Sequence, residues 1–133
     1  MRKEFIINGN NFNNLEGFYD EIDKLLTKNC KTGHNLAAFN DILRGGFGVH
    51  EYEEPILLKW INFNKSKKDF GYDTTIKYYE TILKTCHQSN VEYIKGLLEK
   101  ARQYIGETLL DIIIEIILDT DDSGHDCLLE IYD

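Results

Sequence analysis

The sequence predicts an α/β domain: a small, mostly parallel β-sheet with helices packed on it. Three observations carry this reading. Short continuous apolar runs occur at Phe5-Ile6-Ile7, at Ile56-Leu57-Leu58-Lys59-Trp60 and at residues 112–118, and each has the length of a buried strand. Between them lie long segments with apolar residues at helical spacing, which are the crossovers that parallel strands need. A last short run, residues 128–132, follows a turn-rich acidic stretch. The expected sheet has three parallel strands plus a C-terminal antiparallel hairpin strand, and four to five helices pack on it, all in one domain over residues 1–133.

Each element has its own warrant. The first strand stops at Asn8-Gly9, a turn signal. Leu15, Phe18, Tyr19, Ile22, Leu25 and Leu26 then fall on one helical stripe, and Asn13 with Glu16 three residues on suits a capping box at its start. A shorter helix is expected from about Asn35 to Arg44. Asn35 suits an N-cap, and Gly45-Gly46 suits a left-handed stop. Leu36, Phe39 and Leu43 form its inner stripe; Ala37, Asn40, Asp41 and Arg44 form its outer one. Residues 46–54 are a glycine-rich acidic connection, and Pro55 is tolerable because it precedes the second strand.

Asn62 to Phe70 predicts a short helix broken by Gly71. Ile76, Tyr79, Ile82, Leu83 and Cys86 mark one further helix, and Val91, Ile94, Leu97, Leu98, Ala101 and Tyr104 another, with Ser89-Asn90 between them and Gly106 after. Residues 112–118 contain three consecutive isoleucines and are expected as a central strand. The helical alternative is that Asp111, Glu115 and Asp119 recur every four residues. Residues 119–124 are then a turn, and the last strand pairs back as a hairpin.

Composition narrows the function. At 42% hydrophobic and 29% charged residues the chain is globular, and no apolar run approaches a bilayer span. No secretory signal follows the basic Met1-Arg2-Lys3 start, and three cysteines without a CxxC spacing suit a reducing cytoplasm. The net charge is −8, and nine of the 23 acids lie after Arg102, where no Lys or Arg occurs. Direct nucleic-acid binding is therefore disfavoured, because phosphate contacts need cations. A basic protein partner is favoured, since complementary charge speeds encounter. The plainer use of such charge is solubility.

No motif of a nucleotide site, hydrolase or zinc protease is present. His125, Asp126 and Cys127 adjoin in sequence, but neighbours on a strand point to opposite faces and cannot converge as a catalytic cluster. Asp119, Asp121, Ser123, Gly124 and Glu130 match the spacing of a calcium loop. Only three residues follow Glu130, too few for an exiting helix, so an acidic turn is preferred. Lys65, Lys67 and Lys68 read as a solvated helix face. The chain is expected to be no enzyme and to need no cofactor or metal.

The stretch from Phe5 to Gly45 resembles the barstar-like ribonuclease inhibitors. The resemblance rests on a strand ending in Ile7-Asn8-Gly9, an amphipathic helix, and Gly33-x-Asn35-Leu36-x-Ala38 with Asp41 and Leu43 following. A second block, Pro55-Ile56-Leu57-Leu58-Lys59-Trp60 with Phe63 and Ser66-Lys67, continues it after an insertion. The resemblance implies a cytoplasmic inhibitor or immunity protein that is monomeric when free. It would plug the RNA site of a basic ribonuclease with residues 31–46. The contact residues it implies are Lys31, Gly33, His34, Asn35, Leu36, Ala37, Ala38, Asn40, Asp41, Arg44, Gly45 and Gly46. Asp41 falls where the family presents a carboxylate in place of an RNA phosphate. An interaction module of the same fold with a non-nuclease partner is the alternative.

The chain also departs from the family pattern. Ala37 stands where a second acid is usual, Lys31-Thr32 where aromatics are frequent, and Gly46 where an aromatic follows the helix. The implied target therefore differs from the family's best-known ribonuclease. The insertion brings Phe47, Glu51, Tyr52, Glu53 and Glu54 next to the helix end, either as replacement contacts or as a plain loop.

Overall fold

The structure is a computed structural model that describes residues 1–28, 32–120 and 124–133. Its strands are β1 (Lys3–Asn8), β2 (Ile56–Ile61) and β3 (Cys127–Ile131). Its helices are α1 (Leu15–Leu26), α2 (Leu36–Arg44), α3 (Phe63–Asp69), α4 (Tyr72–Leu83), α5 (Val91–Arg102) and α6 (Leu109–Leu118), with 3-10 turns at Gly9–Asn11 and Gln88–Asn90. The sheet has the order β1-β2-β3 and is parallel throughout, with Ile7 opposite Trp60 and Ile56 opposite Cys127.

Two expectations are corrected here. Residues 112–118 are not a strand but the body of α6, and the antiparallel C-terminal hairpin is replaced by β3 pairing parallel to β2. The helices number six among the described residues, above the four to five expected. The reason is visible at the start of α6. Thr108 Oγ1 accepts from the Asp111 amide at 3.3 Å and Asp111 accepts from the Thr108 amide at 2.9 Å, a reciprocal cap. Leu109, Leu110, Ile113 and Ile117 then share the buried face, while Asp111, Glu115 and Asp119 stay exposed. The four-residue acid spacing outweighs the β-branched run, whose cost in a helix is small beside the burial of a whole face.

The core lies on one face of the sheet. Ile56, Leu58 and Trp60 of β2 are fully buried there, and the Trp60 indole N–H donates to Ser66 Oγ at 3.0 Å. Phe18 of α1 stacks on Trp60, ring centroids 5.6 Å apart, and meets Phe39 of α2 edge-on at 5.2 Å. These aromatic contacts seat α2 on α1 and the sheet. The opposite sheet face stays partly open, with Ile6 and Leu128 about half exposed and Lys59 paired to Glu4 at 2.7 Å. A second, smaller cluster forms around Tyr79, Leu98 and Ala101, between α4, α5 and α6. Cys127 is buried, and burial pushes its thiol up to about 12.

Candidate functional site

The site begins with two helix ends. The Asn35 side chain accepts from the Ala38 amide at 2.8 Å, satisfying one orphan donor of the first turn. At the other end Gly45 and Gly46 have φ of 95° and 91°, a region that favours glycine. A Cβ on Gly45 would also collide with the Glu51 carbonyl oxygen. The helix between them is therefore short, straight-ended and fixed in place. Phe39, Ile42 and Leu43 are buried and Leu36 is half-buried against the core, one residue more than the expected inner stripe.

The outer face is as the spacing predicts, in part. Ala37 and Asp41 are exposed, whereas Ala38, Asn40 and Arg44 are half-buried. Asp41 makes no hydrogen bond or ion pair among the described residues, so the i+3 neighbour Arg44 does not neutralise it. Arg44 instead lies over Gly124, whose added Cβ would stand 3.4 Å from its Nε. Lys31 lies outside the described residues. Gly33, Asn35 and Gly46 are exposed, while Gly45 is buried.

His34 is the residue whose placement differs most from a simple contact role. It sits at φ 50°, and its ring turns toward α1. Nδ1 meets Glu16 Oε2 at 2.8 Å, Nε2 meets Asp23 Oδ2 at 2.8 Å, and Asp20 lies 3.6 Å from Nε2. The Glu16 hydrogen bond first, then that of Asp23, hold the imidazole above its ordinary pKa. Thr32 adds Oγ1 and backbone N–H donors to Asp23 at 2.7 and 3.3 Å. The approach to α2 is thus clamped to α1 by a histidine and a threonine on one buried aspartate. Glu16, Asp20 and Asp23 recur at i, i+4 and i+7, and that acidic stripe was the available sequence signal for the clamp. Asp20, Asp23 and His34 offer ligand atoms within 4.8 Å of one another, the one group among the described residues that could hold a metal ion. Both ring nitrogens of His34 already face carboxylates, so a proton completes the arrangement.

The insertion folds against the other end of α2. The Glu53 amide donates to the Arg44 carbonyl at 2.6 Å and the Gly46 amide to the His50 carbonyl at 2.9 Å, while His50 is buried with Nε2 3.1 Å from the Leu43 carbonyl. Phe47 packs on the core. Glu51, Tyr52 and Glu53 are left exposed beside the helix end. Glu54 is drawn back, accepting from the Glu51 amide at 2.8 Å and lying 3.5 Å from Lys3. Next to the other end of α2, a groove of about 570 Å³ is lined by Tyr19, His34, Asn35, Leu36, Lys77 and Tyr78, among others.

This arrangement is a helix capped at both ends whose outer face bears one carboxylate with no partner among the described residues, inserted between a β-α start and a buried β2. Residues 2–128 match the family model described as Barstar (barnase inhibitor). The chain belongs to the barstar family. The match covers nearly the whole chain, including α4–α6 and the start of β3, where only the order of elements had suggested it. No curated protein matches the chain. The family assignment gives the fold its context, and the open face of α2 is the part of that fold that offers chemistry. As for the calcium-like spacing, Asp121 and Ser123 lie outside the described residues, and Glu130 lies on β3 accepting from the Tyr132 hydroxyl at 2.6 Å. Among the described residues no helix is long and apolar enough to cross a membrane.

Proposed function

We propose that this chain inhibits a ribonuclease by seating α2 and its flanking loops in the enzyme's RNA site, as a cognate immunity protein in the cytoplasm. The observation that carries the reading is Asp41, exposed on a helix capped at both ends and with no hydrogen-bond or ion-pair partner among the described residues. A carboxylate held outward without a local counter-ion can replace a phosphate among the cations of a nuclease site, and the fixed helix avoids the entropy of ordering a loop on binding. Ala37 leaves room for close approach. Glu51, Tyr52 and Glu53 are exposed beside the C-terminal end of α2, and they serve as the rim of the contact. The expected partner is basic, and the expected association is salt-sensitive.

The test is a nuclease captured on the immobilised protein and then assayed for RNA cleavage. Stoichiometric addition of the free protein abolishes cleavage, and Asp41→Ala restores it. Asp73→Ala, an exposed acid at the start of α4, serves as the matched control and leaves inhibition intact. A captured enzyme that stays active in the complex, or equal binding by the two variants, removes the inhibitor reading and leaves an interaction module with another partner.

A further inference from the structure

Away from α2, the helices α4, α5 and α6 line a half-open cavity of about 430 Å³ over the second hydrophobic cluster. Its walls include Tyr78 and Tyr79 of α4, Tyr93 of α5, Glu115 of α6, and Glu107 just ahead of that helix. Tyr79 is only 5% exposed, and its hydroxyl has no hydrogen-bond partner among the described residues. Burial first, and then the Glu107 carboxylate, hold that phenol above its ordinary pKa, with Tyr78, Tyr93 and Glu115 adding to it. The oxygen of Tyr79 therefore lies in the field of both carboxyl groups. The Glu115 carboxyl is itself raised, first by its hydrogen bond with Glu107, then by desolvation and by the charges of Glu107 and Asp111. Glu107 and Glu115 are both exposed and line the same pocket, so their two carboxyl groups are open to a cation that enters it. Lys100 borders the cavity and forms no ion pair among the described residues, so it does not neutralise them.

We propose that this cavity binds a primary alkylammonium group, with its head between Glu107, Glu115 and the Tyr79 hydroxyl and its methylene stem against Tyr78 and Tyr93. The three N–H donors of an ammonium match the three oxygen acceptors, and the aromatic walls favour a cation that carries hydrocarbon. A hard divalent ion asks for six or more oxygen ligands, which two carboxylates and one phenol do not supply. The cavity is separate from the proposed nuclease contact, and its occupation does not depend on that reading.

Calorimetry on the full chain with n-butylammonium chloride tests the site. The expected result is millimolar binding, weakened about tenfold by Glu115→Gln and about threefold by Tyr79→Phe. Both variants keep the size of an exposed or packed side chain, so they fold. Putrescine and Nα-acetyl-lysine methylamide separate the two sources of the group: tighter binding of the former marks a free amine, and of the latter a lysine on a protein. Equal binding of neutral n-butanol, unchanged affinity in Glu115→Gln, or no heat with any of the amines would overturn the proposal.

Discussion

Asp41 and the Glu107–Glu115 pair place negative charge on this protein in opposite ways. Asp41 is exposed on α2 with small and polar neighbours, and it forms no ion pair among the described residues. Glu107 and Glu115 lie at the edge of one aromatic pocket, and Glu107 helps hold the Glu115 carboxyl above its ordinary pKa. A solitary carboxylate on a rigid support costs nothing in the free protein and is ready for an external cation. A crowded pair is unfavourable until something positive arrives. The first arrangement suits docking to a large charged surface, and the second suits capture of a small cationic group.

Four outcomes sharpen or break that contrast. The largest belongs to Asp41→Ala, for which loss of a central charged contact predicts about 3 kcal/mol, or about a hundredfold, in affinity for a nuclease partner, measured by binding at fixed salt. Next is Gly45→Ala, which places a Cβ against the Glu51 carbonyl at positive φ and should lower stability by about 2 kcal/mol in urea unfolding. If it does not, α2 is less fixed than its ends suggest.

Third is His34→Ala, expected to cost about 1 kcal/mol, since Glu16 and Asp20 are largely exposed and solvent screens part of the clamp. The sign of its pH dependence follows from the raised imidazole. The stabilisation is fully present below the ordinary histidine value of about 6.5 and is lost as pH rises through the higher folded value. A pH series on both proteins should converge in alkaline buffer. The smallest effect is that of Glu115→Gln on stability. A raised carboxyl favours the fold at pH below the ordinary carboxylate value and loses that contribution as pH rises through the folded value. The amide removes this loss, so Glu115→Gln should be more stable than the parent at neutral pH by at most about 0.5 kcal/mol and no more stable in acid.

Much of the fold is local in origin, and those parts were readable. Asn35, Gly45 and Gly46 mark the limits of α2 through caps that act within a few residues, and the apolar spacing of α1, α4 and α5 needs no knowledge of the partner face. At the start of α1 the cap is Asn14, whose side chain accepts from the Gly17 amide at 2.8 Å, one residue later than the spacing with Glu16 suggested. The failure at residues 112–118 is local as well. Three isoleucines fit a strand or a helix equally well, and only the Thr108 cap and the acid spacing separate the two. Once 112–118 is assigned to a strand, the hairpin follows by connectivity, and both errors have one cause.

The outward position of Asp41 followed from period alone. The inward turn of His34 did not, because it depends on Glu16 and Asp23, acids a helix away, and on a left-handed backbone at a histidine. The cavity at Tyr79 joins residues from three helices and leaves no mark in any one segment.

Cys127 offers a further use of the fold. Its sulfur sits inside the sheet, opposite Ile56, with ionisation suppressed by burial. The thiolate that alkylating reagents attack is therefore absent until β3 parts from β2. Cys86, half-exposed after α4, labels first and can be subtracted, and Cys30, which lies outside the described residues, is replaced by serine for the measurement. The slow modification of Cys127 is a native clock for opening of the sheet, and any molecule that grips the folded form alone slows it in proportion to its occupancy.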